Sequence, residues 1–477
     1  MRLRYPVALL LALAATIAGA ADAPYRVSVA TAPARVDWQA RVPAGLADCG
    51  TRPPAAPASR SGGVRVINIV KDRYFVKFFN DGRLPRMITQ QQDVPRALVV
   101  DSGVWRLPEL VRAVNDAKVL STDHVLGLPL LIRPGAVVVV ETGDWLKLDR
   151  ARGAFILNLG ELHLRDARVS GWDVGAGRAA PLRHAAEFRP YLLGWGGSRT
   201  VIHHSLLESL GFSEHLSNGI GFARGPFGLK DIDGGRPPEA WVTRNRITNA
   251  YSAVRISGGA TRVCGNVIDG AQVHGVQVEE SRGTVIVAGN RVSGVRAGTA
   301  ISIGSTGGAW IGRNLVEANG QSGIVLTGSQ AAWLVGNTVR RNQSDGIRIT
   351  GSGATVVDNV SSDNGDHGVQ VRNGSSVRIQ GLAASGNGGV GIEATRQPEL
   401  KLAAGTRWQL MLADVRLSEN RGGAIGMDRP YEMLVGDVAI TDSFSARRAL
   451  LRSALNGVEG PLLKQVLVEK RFVRVAP

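Results

Sequence analysis

Residues 264–281 read "CGNVIDGAQVHGVQVEES", and both halves of that stretch recur. The asparagine half returns in "TRNRI", "AGNRV", "GRNLV", "VGNTV" and "VDNVS", which sets Asn245, Asn266, Asn290, Asn314, Asn337 and Asn359 at intervals of 21–24 residues. The valine half returns as "GTAISI", "SGIVL", "DGIRI", "HGVQV" and "VGIEA" with the same period. Two marks sharing one period identify a repeat architecture. Each unit holds short alternating strands broken by Gly, Asn and Ser, with no helical pattern long enough to serve as a crossover. A unit of about 22 residues cannot bury its apolar face alone, so copies must stack. The expected fold is an all-β solenoid, a parallel β-helix, with Val, Ile and Ala inside. An asparagine repeated at one turn can stack its amides into an axial hydrogen-bond ladder, which explains it without any catalytic role.

Working outward, "VVVVETGDWLKLDRARGAFILNLGELHLRDARVSGW" reads as irregular first coils, so the β-helix is expected over residues 130–400. In "LPELVRAVNDAKVL", Leu107, Leu110, Val111 and Val114 have helical spacing, as an amphipathic cap over the open end requires. Residues 21–129 form an N-terminal extension and cap, with 35–64 read as a linker and 65–100 as a strand-rich lead-in. Residues 401–477 form irregular closing coils. The first twenty residues, "MRLRYPVALLLALAATIAGA", have the basic start, short apolar middle and small-residue end of a secretory signal peptide. No later run is apolar enough to span a membrane. An exported, soluble, periplasmic chain is expected.

The formal net charge is +16. Such a field favours polyanions. Export and few aromatics for base stacking argue against nucleic acid and for an acidic polysaccharide. The two cysteines, Cys49 and Cys264, are too few for a disulfide framework. A small buried thiol is the favoured reading of Cys264, with pairing to Cys49 left open.

Side chains alternate along a strand, so if Val276 and Val278 face the core, Gln277 and Glu279 face solvent. The same parity builds an outward ladder of Arg255, Gln277, Ser302, Val325, Arg348, Gln370 and Glu393. Beside it runs Ser257, Glu279, Gly304, Thr327, Thr350, Arg372 and Thr395. Coils stack at ~4.8 Å, close to the advance of one sugar along an extended polymer. A guanidinium can grip a carboxylate with two parallel hydrogen bonds, so arginines on such a track suit a polyuronate. No zinc spacing, calcium loop or Walker sequence is present in the sequence.

The chain resembles the periplasmic mannuronan C5-epimerases of bacterial alginate biosynthesis. The resemblance rests on "RGAFILNLGELHLRDARVSGW", on "FRPYLLGWGGSRTVIHHSLLESLGF" followed by "SNGI", and on "SDGIRITGS" and "HGVQVRNGS". It implies a right-handed parallel β-helix with alginate in a groove along its axis, inversion at C5 of mannuronate within the polymer, no cofactor, and association with periplasmic polysaccharide-export proteins. The family's Asp-Pro-His-Asp tetrad is replaced here by Gln277, Val278, Glu279 and Glu280. C5 inversion needs a base, a cation or donor set for the carboxylate, and an acid on the other ring face. Glu279 is expected as base, Arg255 as the carboxylate partner, and Tyr251 or His274 as the opposite-face proton donor. Gln277, Glu280, Arg348, Gln370 and Arg372 are expected to bind the polymer. Two other readings stay open: a β-helix that binds or shelters the polysaccharide without chemistry, and a uronate lyase.

Overall fold

In a computed structural model, the structure describes residues 25–43, 49, 53–72, 74–75, 95–214, 216–224, 236–396, 409–428, 432–441 and 449–476. The expected signal peptide, residues 1–20, lies outside them. The repeats form three long sheets of 15, 14 and 15 strands, and each coil contributes a strand to every sheet in turn. Coils stack in parallel. Tyr251 leads into Ser252–Ser257 and His274 opens His274–Glu279, neighbouring strands of what is here called the groove sheet. Thr261–Cys264 belongs to a second sheet, the strap sheet, and Val267–Asp269 to a third.

The inward column of the groove sheet runs Val254, Val276, Ile301, Ile324, Ile347, Val369 and Ile392, every member fully buried. The expected asparagine ladder is present. From Asn245 to Asn359 each Nδ2 donates to the Oδ1 of the next asparagine at 2.9–3.0 Å. A second ladder joins Asn319, Asn342, Asn364, Asn387 and Asn420 at 2.8–3.0 Å. Each amide meets the buried turn's need for a polar partner, since an orphaned donor or acceptor there costs about 1–3 kcal/mol.

Three expectations need correction. The stack is longer than 130–400, because Arg96–Val100 already pairs in parallel with Leu130–Ile132 and Gly423–Asp428 pairs in parallel with Ala449–Arg452. Those outer coils lack the asparagine mark, so the period does not reveal them. The described parts of the expected linker 35–64, residues 35–43, 49 and 53–64, are packed on the solenoid. The N-terminal segment runs back along the strap sheet as a tie, opposite in direction to the growth of the stack. Arg26–Val29 pairs with Val473–Ala476 at the C-terminal end, Trp38 Nε1 donates to Asp358 at 2.9 Å, Arg165 donates to the Pro54 carbonyl, and Arg60 bridges to Val104 near the N-terminal end. Finally, Cys264 is not a free thiol: it forms a disulfide with Cys49, fastening the tie midway. A proline- and alanine-rich segment carries no periodic signal, because its partners are distant strands.

The ends of the core are closed separately. Helix Leu107–Val114 buries Leu107 and Leu110 in the main core beside Gly103–Arg106, and Glu109 accepts from the Arg106 amide at 3.0 Å to cap it. At the other end Leu455, Leu462 and Val466 are buried in the same core.

Candidate active site

The alternation that buries Val276 and Val278 leaves Gln277 and Glu279 half-buried on the outward face. The register pairs Arg255 with Gln277, Gln277 with Ser302, Val325 with Arg348, Arg348 with Gln370 and Gln370 with Glu393. Both outward ladders therefore stand as parity requires. Glu280 does not join them. It is exposed in a left-handed turn with φ 53°, the same turn position occupied by Gly258, Ser305, Gly328, Gly351 and Asn373. That position sets the bend and places Glu280 outside the track.

Around Glu279 the side chains form one network. Arg255 donates through Nη2 to Glu279 Oε2 at 3.3 Å, and Gln277 Nε2 donates to Glu279 Oε1 at 2.7 Å. Arg255 Nη1 donates to Asn218 Oδ1 at 2.6 Å, and Asn218, only 8 % exposed, is anchored through Nδ2 to the Phe212 carbonyl. Both Glu279 oxygens are engaged. His274 Nδ1 lies 3.1 Å from the Thr299 carbonyl, which can only accept, so Nδ1 carries the proton and Nε2 keeps its lone pair. Burial pushes its pKa below the ordinary histidine value, against opposing pulls from the Thr299 hydrogen bond and the Glu279 charge. The ring is thus held neutral with a free basic nitrogen. The Tyr251 hydroxyl makes no hydrogen bond among the described residues, and its carbonyl accepts from Val273, next to His274, at 2.8 Å.

The remaining sequence candidates lie three and four coils downstream of Glu279. Arg348 is turned onto the fully buried Asp345, with Nε to Oδ2 at 2.6 Å. Gln370 is 3 % exposed, and Arg372 is half-buried with no ion pair among the described residues. The structure thus joins Glu279, Gln277 and Arg255 in one network, with His274 held in its electrostatic reach, and sets Arg348, Gln370 and Arg372 apart. Sequence reasoning missed Asn218 as a functional residue. Its signal was "SNGI" directly before Gly219–Ala223, the strand one rung upstream of Arg255. A cavity of about 510 Å³ opens at the edge of the upstream coils beside Arg199 and Arg236, and none of the network residues line it. A polymer track needs an open face, so that cavity does not define the site.

The family pattern described as "Right handed beta helix region" matches residues 252–403. The Mannuronan C5-epimerase of Pseudomonas putida is 26 % identical over 81 % of this chain and 77 % of its own length. That of Pseudomonas aeruginosa is 27 % identical over 88 % and 80 %. The chain is similar to mannuronan C5-epimerases over most of its length. A crystal structure of the periplasmic alginate epimerase AlgG superposes with a TM-score of 0.73, covering 89 % of this chain and all of that one at 21 % identity, a likeness of fold. The handedness of the solenoid is therefore the one the resemblance implied. No helix among the described residues is long and apolar enough to cross a membrane.

Proposed function

We propose that the chain is a periplasmic C5-epimerase acting on mannuronate residues within an alginate-like polymer. The observation that carries this reading is the network of Asn218, Arg255, Gln277 and Glu279 beside a neutral His274, set on an outward ladder whose coil spacing suits a polyuronate. Similarity to mannuronan C5-epimerases over most of the chain supports it. A disulfide forms and persists in an oxidising compartment, which favours export.

The base is reassigned from Glu279 to His274. Both Glu279 oxygens already accept hydrogen bonds, and their geometric effect is to aim Arg255. In the proposed reaction the Arg255 guanidinium neutralises the uronate carboxylate while His274 Nε2 takes the C5 proton. The electron pair of the broken C–H bond moves into the carboxylate as an enolate, which the cation stabilises. The Tyr251 hydroxyl then protonates C5 from the other face, and solvent restores both groups. Polysaccharide-export proteins of the periplasm belong to the same proposal as partners, tested by crosslinking and co-purification.

The decisive experiment incubates polymannuronate with the purified chain in deuterated water. Deuterium at C5 with new guluronate signals is the expected result. The loss of the Asp-Pro-His-Asp tetrad favours a second reading, a non-catalytic polysaccharide binder, which would give neither. A lyase would instead produce unsaturated chain ends that absorb in the ultraviolet.

A further inference from the structure

The pentapeptide HGVQV occurs at residues 274–278 and again at 367–371. The fold gives both copies matching neighbours. Each follows, by one coil, an arginine on the outward ladder: Arg255 pairs with Gln277, and Arg348 with Gln370. Each arginine holds a carboxylate, Glu279 in the first case and Asp345 in the second, where Nη2 reaches Oδ2 at 2.5 Å. The register Val276, Ile301, Ile324, Ile347, Val369 separates the copies by four rungs. At ~4.8 Å per rung they stand roughly 19 Å apart.

The two histidines carry their protons on different nitrogens. His367 Nδ1 lies 3.0 Å from the Val390 amide nitrogen, which can only donate. Its lone pair is therefore on Nδ1 and its proton on Nε2, 3.4 Å from Asp366. In that tautomer Nε2 has no lone pair to accept a C5 proton. Nor can it ligate a metal, although ligand atoms of Asp345, Asp366 and His367 lie within 4.8 Å of one another. It can only donate a hydrogen bond. His274, its counterpart, is the one with a free acceptor.

We infer that residues 345–372 form a second uronate subsite, which holds a sugar of the same polymer about four units from the reacting one and performs no chemistry on it. Arg348 takes the carboxylate, with Arg372 one rung on and no ion pair of its own among the described residues. The half-exposed Asp366 and the Nε2 proton of His367 take ring hydroxyls. The inference rests on a polyuronate lying along the groove, which the epimerase and binder readings share.

Calorimetric titration of the full chain with mannuronate oligomers of three and eight sugars tests it. Only the longer oligomer reaches both centres, and it is expected to bind at least about tenfold more tightly, a difference of about 1.4 kcal/mol. Arg348→Lys keeps a cation beside buried Asp345 but loses the planar fork, and His367→Gln loses the directed donor. Each should shrink the length ratio toward one. Equal affinity for both lengths in the unmodified chain would overturn the subsite, as would a ratio that survives both substitutions. If the unmodified chain exchanges no deuterium but shows a length ratio that the variants remove, the subsite stands and the epimerase reading falls.

Discussion

One ladder of the groove sheet crosses two chemically different regions. Upstream it reads Val99, Leu131, Leu157, Leu193 and Gly221; downstream it continues as Arg255, Gln277, Ser302, Val325 and Arg348. The inward column is alike on both sides, and one irregularity in register falls at the junction, between Gly219 and Ile220. Upstream, the outward residues are buried under Phe75, Phe155, Phe188, Tyr191 and Phe212, with Phe155 stacked on Tyr191 at 4.8 Å. Even the arginine there, Arg189, is fully buried and spends Nε and Nη2 on the Gly211 and Leu210 carbonyls, while burial lowers its pKa to about 10. Downstream, the arginines lie on the open track. In a solenoid the inward face makes the fold and is nearly uniform, so function is written on the outward face, where one half is spent on packing and the other stays available to a ligand.

The strongest test of that contrast removes the proposed base. His274→Gln should lower turnover by about 10²–10⁴-fold, read as C5 deuterium exchange, with the folded signature retained; an unaltered rate would return the base to Glu279 or another group. Next, Phe155→Ala in the covered half should destabilise the chain by about 3–5 kcal/mol in urea unfolding. Ser302→Ala in the open half should stay within about 0.5 kcal/mol. Equal losses at the two sites would erase the distinction between packing face and working face. Cys264→Ser releases the tie that spans both regions and should lower stability by about 2–4 kcal/mol under oxidising conditions, with no further loss on adding reductant.

The smallest expected effect concerns pH. Burial lowers the pKa of His163, His203 and His274. A histidine lowered in the folded state leaves the unfolded chain binding more protons, so stability rises with pH through the window just below about 6.5. Thermal unfolding followed across that window should show the rise, and His163→Gln should flatten it. The acid limb of turnover should likewise fall below about 6.5, because His274 stays neutral there. A limb above that value would contradict the burial of His274.

Much of this was legible early because period and parity are local properties. The intervals between Asn245 and Asn359 fixed the coil, and alternation at Val276 and Val278 fixed which side chains look outward. The second asparagine ladder was equally readable, since Asn319, Asn342 and Asn364 each stand five residues after a member of the first. Roles were harder. Glu279 looked like the free acid of the motif until Arg255 and Gln277 were seen to occupy it. The role of His367 depends on its tautomer, which the Val390 amide fixes across the coil boundary.

The sequence by itself determined the solenoid, its rung length and the identity of the outward ladder, because a repeat must bury the same apolar face in every coil. Only the tertiary structure decided that the N-terminal segment is a tie locked by Cys49–Cys264, that Asn218 steadies Arg255, and which nitrogen of each histidine is free. Those facts depend on partners dozens to hundreds of residues distant or on the donor or acceptor met across a coil boundary. No local pattern encodes such a meeting, because it exists only once the coils have been stacked.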